Sequence, residues 1–504
     1  MYIRNEDTIC APATVPGTGA ISVIRISGPE ALEIADKVVV CKKGRIADAK
    51  GYTMKFGVVN DADGKIIDEV LVSIFKAPHS YTGENSVELS CHASSYIVSE
   101  LMTVLYSAGC RAAEPGEFTQ RAYLNGKMDL AQAEAVADVI ASQNAAAHRV
   151  AFNQMKGGFS SELRDMRSEL LELVSLMELE LDFSEEEVEF ADRSRLDSLL
   201  SDIVRHITRL IDSFRLGNAI KNGIPVAIAG ATNTGKSTLL NALLGEDRAI
   251  VSDVHGTTRD TIEETLNIDG ILFRFIDTAG LRETSEIVEK IGIERTFKKI
   301  TEASVVLGMI DLTRDLETTC QTLQELAAKI DTSVQKLVIL LNKTDISEVN
   351  NNVSIINHIV SLFGNKNVRF RVSDFNISDT SEGISQPESE AISNNVGISC
   401  IEILPISART GTGIEALRAI LADSQRDLLG DSNATLVTNQ RHAQALSDAR
   451  TSLLRVREGL AASLPTDLAS QDLREAIYHL GSIVGEISTD EVLGNIFANF
   501  CIGK

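Results

Sequence analysis

The stretch Gly230-Ala231-Thr232-Asn233-Thr234-Gly235-Lys236-Ser237 follows the apolar run Ile224-Pro225-Val226-Ala227-Ile228-Ala229. A buried strand, a glycine-bounded turn and a helix opening at Lys236-Ser237 together predict a phosphate cradle. The glycines let backbone N–H groups curl around phosphates with no Cβ in the way. In that frame Lys236 reaches the β- and γ-phosphates, the Ser237 hydroxyl holds Mg²⁺, and Asn233, Thr234, Gly235 and Thr238 complete the cradle.

A switch loop and three further motifs follow in order, each placed to act on the same nucleotide. The polar loop Ser252-Asp253-Val254-His255-Gly256-Thr257-Thr258-Arg259-Asp260 lies where a switch segment belongs. Thr258 can give Mg²⁺ a second protein hydroxyl only while a γ-phosphate is present, which makes the loop a nucleotide sensor. The predicted strand Ile271–Ile276 ends in Asp277-Thr278-Ala279-Gly280, where Asp277 orients Mg²⁺ through water and the Gly280 N–H meets the γ-phosphate. Strands over Ser304–Ile310 and Lys336–Leu341 lead to Asn342-Lys343-Thr344-Asp345. A carboxylate at Asp345 accepts both the N1–H and the 2-amino N–H of guanine, a donor pair that adenine lacks. A last strand, Glu402–Ile406, leads into Ser407-Ala408-Arg409, whose Ala408 N–H is placed to meet guanine O6. The competing reading, a P-loop ATPase or an inactive relative, has to treat this ordered set as chance.

Leu281 follows Gly280 at the place where Ras-type GTPases carry the glutamine that positions water. Leucine cannot do this, so one of the acids Glu283, Glu286 and Glu289 is the natural substitute. Between Asp345 and Glu402 the chain is rich in Asn, Ser and acids, with one plausible helix at Ile355–Phe363. The stretch of about 347–400 therefore reads as a surface insertion with little core-forming capacity, partly disordered.

With 504 residues the chain has room for two to four domains, and its formal charge of −23 supplies no global basic field. RNA contact would need a local Lys/Arg patch against a repulsive background, and would be weak and salt-sensitive. The seven cysteines, Cys10, Cys41, Cys91, Cys110, Cys320, Cys400 and Cys501, are scattered without a C-x-x-C, as expected for reduced thiols. There is no membrane-length apolar run and no signal-peptide core at the start, so a cytoplasmic protein is expected.

Residues 1 to about 122 predict an α+β domain. Its strands are Ala20–Ser27, Lys55–Val59, Glu69–Phe75 and Ser86–Ser90, with a helix over Ser94–Ser107. Within it or just beyond, Arg25, Glu88 and Lys127 read on their own as edge or surface charges. From Leu130 the chain turns Ala-rich and helical, with a break at Gly157-Gly158. A second run carries Leu163, Met166, Leu170, Leu173 and Met177 at helical spacing, and a third covers about 192–216. Helical pattern returns from about 433, breaks at Pro465, and ends in a helix opened by the capping box Ser488-Thr489-Asp490-Glu491 before Cys501-Ile502-Gly503-Lys504. A nucleotide domain flanked by helices on both sides reads as an insertion into a helical domain. The expected architecture is multidomain α/β plus α+β, divided at 1–122, 123–216, 217–428 and 429–504.

The whole set resembles the tRNA-modification GTPase family MnmE, also called TrmE. The resemblance is carried by Asp7-Thr8-Ile9, Arg25-Ile26-Ser27-Gly28, Tyr81-Thr82-Gly83-Glu84, Pro115-Gly116-Glu117-Phe118, Leu130-Ala131-Gln132-Ala133-Glu134-Ala135, the four nucleotide motifs and the Cys501–Lys504 tail. It implies a homodimer built through N-terminal domains that resemble a tetrahydrofolate-binding fold. It implies a GTPase that works with an FAD-dependent partner of the MnmG (GidA) type on C5 of the wobble uridine of tRNA, forming aminomethyl or carboxymethylaminomethyl groups. The one-carbon unit comes from 5-formyltetrahydrofolate or a related reduced folate, with Arg25, Glu88, Lys127 and Lys504 as its contacts by motif position. The family resemblance also implies K⁺ activation, with the ion held by Asn233, Ser252, Val254 and Thr257, and Glu289 as the water-orienting acid. Hydrolysis is then switched on as G domains meet across the dimer. Thr232 and Thr234 stand where the family usually has Pro and Ala, and His255 stands for a small residue. A ribosome-assembly GTPase is the other class to weigh, and the lack of a basic RNA-binding appendage after the motifs counts against it.

Overall fold

The computed structural model describes residues 7–182, 193–231, 233–245, 263–276, 301, 303–328, 330, 335–346, 355, 358–359, 361–362, 368–370, 401–424, 435–462, 466–486, 490–498, 500 and 503. The chain divides into two compact units. One comprises Met1–Ser142, His148–Asp212 and Asn439–Lys504; the other comprises Gln143–Ala147 and Ser213–Thr438.

The first unit begins with strands β1 (Ile9–Pro12), β2 (Ile21–Ser27), β3 (Val39–Cys41), β4 (Thr53–Asn60), β5 (Ile66–Phe75), β6 (Ser86–His92) and β7 (Arg111–Ala112). They form one sheet in the order β3-β4-β5-β6-β2-β1-β7. Alternation along β5 turns Val70, Val72 and Ile74 inward, where they meet helices α1 (Ala31–Val38) and α2 (Ser95–Ala108) through Ile34, Leu101 and Leu105. The helix α3 (Glu117–Leu124) carries the fully buried Arg121, whose guanidinium meets Asp7, Glu84 and Glu117. Those carboxylates satisfy its charge where water cannot. Antiparallel pairing of β2 with β6 sets Arg25 directly opposite Glu88.

Helices α4 (Leu130–Ala141), α5 (Ala145–Met155), α6 (Gly158–Asp182) and α7 (Arg193–Asn222) follow. A capping box between Asp129 and Gln132 starts α4. Gly157, at φ 87°, ends α5 as expected, but a second break at Ser142-Gln143-Asn144 was not anticipated. It carries no glycine or proline; the Asn144 side chain instead accepts from the Ala147 N–H and restarts a helix. The stripe Leu163, Met166, Leu170, Leu173 and Met177 is buried throughout.

The second unit holds β8 (Ile224–Ala229), α8 (Lys236–Leu244), β9 (Glu263–Ile268), β10 (Ile271–Ile276), β11 (Val305–Asp311), α9 (Leu316–Ala327), β12 (Lys336–Asn342), β13 (Val368–Phe370), β14 (Ile401–Pro405) and α10 (Ile414–Ser424). The sheet order is β13-β14-β12-β11-β8-β10-β9, with only β9 antiparallel to its neighbour. Every residue of β11 is buried, as a parallel strand covered on both faces requires. Ligands of such sheets bind beyond the carboxyl ends of the strands. The helix expected at Ile355–Phe363 is found at the described positions 355, 358–359 and 361–362, and Ile355 and Ile359 are buried in the sheet's core. The rest of the expected surface insertion at 347–400 needs correction at β13, which is the sheet's edge strand. A three-residue strand is too short to show a period among so many polar neighbours.

Helices α11 (Gln440–Ala461), α12 (Thr466–Val484) and α13 (Asp490–Phe497) return the chain to the first unit. Arg441 of α11 grips Glu134 of α4 through Nε at 3.1 Å and Nη2 at 2.9 Å, and donates to the carbonyls of Ser482 and Ile483 at the end of α12. His442 Nε2 lies 2.6 Å from the same carboxylate. Burial pushes Glu134 up, but His442 and Arg441 outweigh it and hold the carboxyl at about 2. The capping-box residues Ser488 and Thr489 lie outside the described residues. Cys10, Cys41, Cys91, Cys110 and Cys320 are free thiols, and Cys400 and Cys501 lie outside the described residues. Among the described residues no helix is long and apolar enough to cross a membrane.

Candidate functional site

The phosphate loop runs from the end of β8 to the start of α8. Asn233 adopts φ 63° and Gly235 φ 100°, so the loop turns through left-handed backbone just before the helix N-terminus. A Cβ on Gly235 would stand 2.6 Å from Asn342 Nδ2, so only glycine fits there. Lys236 Nζ donates to the Gly230 and Ala231 carbonyls at 2.8 Å each, which aims its charge across the loop. Thr234, buried, donates to Ala231 at 2.9 Å and tightens the turn. Ser237 and Thr238 are exposed on the first turn of α8, where the positive end of the helix dipole favours an anion.

The loops after β12 and β14 are wired to this loop. Asn342 donates through Nδ2 to the Thr234 carbonyl at 2.8 Å and accepts through Oδ1 from the Ala408 N–H at 3.0 Å. The Ala408 N–H, read from sequence as the partner of guanine O6, is therefore already engaged with Asn342. Ser407 donates to Asp345 Oδ1 at 2.8 Å, which orients an exposed carboxylate. Thr344 ties its loop to the Ile406 carbonyl at 3.0 Å. Lys343, at φ 70°, extends to Asp311 Oδ2 at 2.6 Å, and Arg409 is exposed. Burial raises the Asp311 carboxyl, but Lys343 and the Thr313 hydrogen bonds more than reverse that and lower it. Asp311 was not foreseen from sequence. It lies at the end of β11, and pairing with Asn342 at the end of β12 brings it beside Lys343. Ser252, Asp253, Val254, His255, Gly256, Thr257, Thr258, Asp277, Thr278, Ala279, Gly280 and Glu289 lie outside the described residues. Among the described residues there is no group of three or more His, Cys, Asp or Glu that could hold a metal.

In the first unit, Arg25 and Glu88 do come together. Arg25 Nε and Nη2 lie 3.0 and 2.9 Å from Glu88 Oε1, and the guanidinium stacks on Tyr81 at 5.2 Å and Phe118 at 5.6 Å. Burial pushes the Tyr81 hydroxyl up, and that hydroxyl pairs with Thr119 Oγ1 at 2.9 Å. Lys127 Nζ donates to the Pro78 carbonyl at 3.0 Å and its stem runs along Gly83, so the 78–83 loop touches both cations. Lys504 and Cys501 lie outside the described residues, but Gly503 is described. Its carbonyl is 3.5 Å from Arg25 Nη1, and a Cβ on it would fall 2.2 Å from the Pro12 carbonyl.

A mostly parallel sheet with a glycine-bounded loop before α8, tied by Asn342 to the Ala408 backbone beyond β14, is the architecture of a P-loop GTPase unit. Family models agree along the chain: residues 8–127 match the GTP-binding protein TrmE N-terminus and residues 130–501 match the MnmE helical domain. Proteins named tRNA modification GTPase MnmE are similar over full length. The one from Parabacteroides distasonis is 48% identical over 500 residues, covering 99% of this chain and 100% of that protein. Those from Bacteroides thetaiotaomicron and Flavobacterium psychrophilum are each 48% identical, over 502 and 500 residues, covering 99% of this chain and 100% and 99% of those proteins. The chain belongs to the MnmE (TrmE) family of tRNA modification GTPases.

Proposed function

We propose that this protein is the GTP-hydrolysing subunit of a complex that modifies C5 of the wobble uridine of tRNA. The observation that carries the reading is the joint one: loops carrying Asn342, Asp345 and Ser407 hydrogen-bonded beside the glycine-bounded loop, in a chain similar end to end to proteins named tRNA modification GTPase. Guanine would be held by Asp345, with Ser407 keeping that carboxylate aimed and Asn342 linking the base end to the phosphate loop. The Ala408 N–H would share its bond or exchange it for O6. Lys236 would exchange its loop carbonyls for phosphate oxygens, a trade of neutral for charge-assisted hydrogen bonds.

Mg²⁺ would sit on Ser237 and Thr258, and K⁺ on Asn233, Ser252, Val254 and Thr257, where a cation stabilises charge developing on the phosphates. Glu289 would orient water in place of the glutamine that Leu281 displaces. In the N-terminal sheet, a reduced folate would be read by Glu88. Arg25 already occupies one of that carboxylate's oxygens and leaves Oε2 for pterin N–H donors. Lys127 and Lys504 would serve the folate's anionic tail. The folate would supply the one-carbon unit, an FAD-dependent MnmG-type partner the redox chemistry, and a homodimer the setting in which G domains meet.

Deleting the gene should remove C5-aminomethyl-type uridines from bulk tRNA, read by nucleoside mass spectrometry; unchanged nucleosides would end the reading. GTP turnover should be at least tenfold faster in K⁺ than in Na⁺, and Glu289→Ala should abolish turnover while GTP still binds. Equal rates in the two salts would refute the ion assignment.

A further inference from the structure

We infer that the outer face of α5 is an RNA-contact surface, a stacking platform with flanking cations for the single-stranded part of the tRNA substrate. The inference rests on the tRNA reading above and gives it a place on the chain.

Helix α5 is two-faced. Ala146, Ala147, Ala151 and Gln154 are buried, whereas His148, Arg149, Phe152 and Asn153 are exposed, and Lys156 follows one turn on. These exposed positions fall at helical spacing along a single stripe. The stripe is basic in a chain that is otherwise strongly acidic. The sequence has 71 Asp and Glu in 504 residues, about one in seven, yet none between Asp138 and Glu162. The next arginines along the chain are neutralised, Arg164 by Asp129 and Arg167 by Glu486. Arg149 and Lys156 have no carboxylate partner among the described residues. This is the local patch that an acidic protein needs if it is to touch a polyanion at all.

Phe152 supplies the second, independent observation. The residue is 36% exposed, and its ring stacks on His148 with centroids 5.7 Å apart and planes 14° from parallel, its centroid 4.6 Å from Lys156 Nζ. The side chains of His148 and Lys156 make no hydrogen bond or ion pair among the described residues, so either can yield a ring face to an incoming base. An exposed aromatic ring with cations beside it is how proteins hold unpaired nucleotides: the base stacks and the phosphates meet the charges. Unpaired loop bases, free of a helical stack, are the part of a tRNA such a ring can take. The rise between Arg149 and Lys156 is about 10 Å, two helical turns, enough to touch successive backbone positions on either side of a stacked base.

The test uses the full-length protein with a fluorescein-labelled, unmodified tRNA transcript and its anticodon stem–loop, titrated by fluorescence anisotropy between 50 and 200 mM KCl. Arg149→Glu/Lys156→Glu should weaken binding at least tenfold and flatten the log–log salt dependence by about 1.4, the value for two lost single-strand phosphate contacts. Phe152→Ala should weaken binding roughly fivefold or more with the slope unchanged. Arg205→Glu/Arg209→Glu, an equal charge change on the exposed side of α7, should leave affinity within twofold. GTP binding and the far-UV spectrum should be unchanged in all three. The inference is overturned if the α5 variants bind within twofold of the parent, if the control pair loses as much, or if the parent binds neither RNA. It is equally overturned if Phe152→Ala keeps RNA affinity but loses the FAD-dependent partner. A positive nucleoside analysis alongside unaffected α5 variants would leave the tRNA reading standing and remove only this surface.

Discussion

Two carboxylates, in different regions, show how differently one functional group can be used. At the junction of α4, α11 and α12, Glu134 keeps only 11% of its side chain exposed and both its oxygens are held by Arg441, with His442 on one of them. In the loop after β12, Asp345 is exposed and, among the described residues, has one oxygen held, by the neutral hydroxyl of Ser407. The Glu134 carboxylate is gripped at both oxygens by one guanidinium, whereas the Asp345 carboxylate is steadied without being neutralised. Glu88 falls between them, with a single cation on a single oxygen.

The comparison breaks first at Glu134. Replacing it with glutamine should cost roughly 3 kcal/mol at pH 7, because Arg441 is left without its counter-charge. The effect would be read as a lowered urea midpoint. The sign with pH follows from a folded value of about 2 against a reference of 4.5. The parent should keep this contribution above the reference value and lose it as pH falls towards 2, whereas Glu134→Gln should show no such step. If the variant unfolds at the parent's midpoint at pH 7, the carboxylate is not joining the helices.

Asp345→Asn should leave the urea midpoint unchanged and lower GTP affinity about 100-fold, since hydrogen bonds to a charged acceptor each contribute roughly 1.5–3 kcal/mol. Fluorescent-nucleotide titration measures it, and a stability loss as large as that of Glu134→Gln would erase the distinction. Glu88→Gln should have the smallest effect, about tenfold on 5-formyltetrahydrofolate affinity by calorimetry, because the amide oxygen can still accept one pterin N–H. Affinity indistinguishable from the parent's would take Glu88 out of the folate assignment.

The GTPase unit was legible in the sequence because its motifs are local. Each follows a strand whose apolar run is unmistakable, and each role is set by residues within a few positions of one another. What escaped notice was long-range pairing. Arg25 reads alone as an edge charge; it becomes half of a pair only when β2 and β6 align in register. Asp311 gains its role from Lys343 on the neighbouring strand, and Arg441 reaches Glu134 across 307 positions. The α4–α5 break also stayed hidden, because a side-chain cap at Asn144, not a glycine, does the interrupting. The edge strand β13 was masked by the polar composition around it.

The closeness of Gly503 to Arg25 has a consequence for synthesis. The two residues are 478 positions apart, and ribosomes add about 5–20 residues per second, so the arginine emerges roughly 25 to 100 s before its carbonyl partner exists. The earliest-made strands therefore sit with one seat unfilled while the whole GTPase unit is translated and folds, and the tail arrives at a surface already in place.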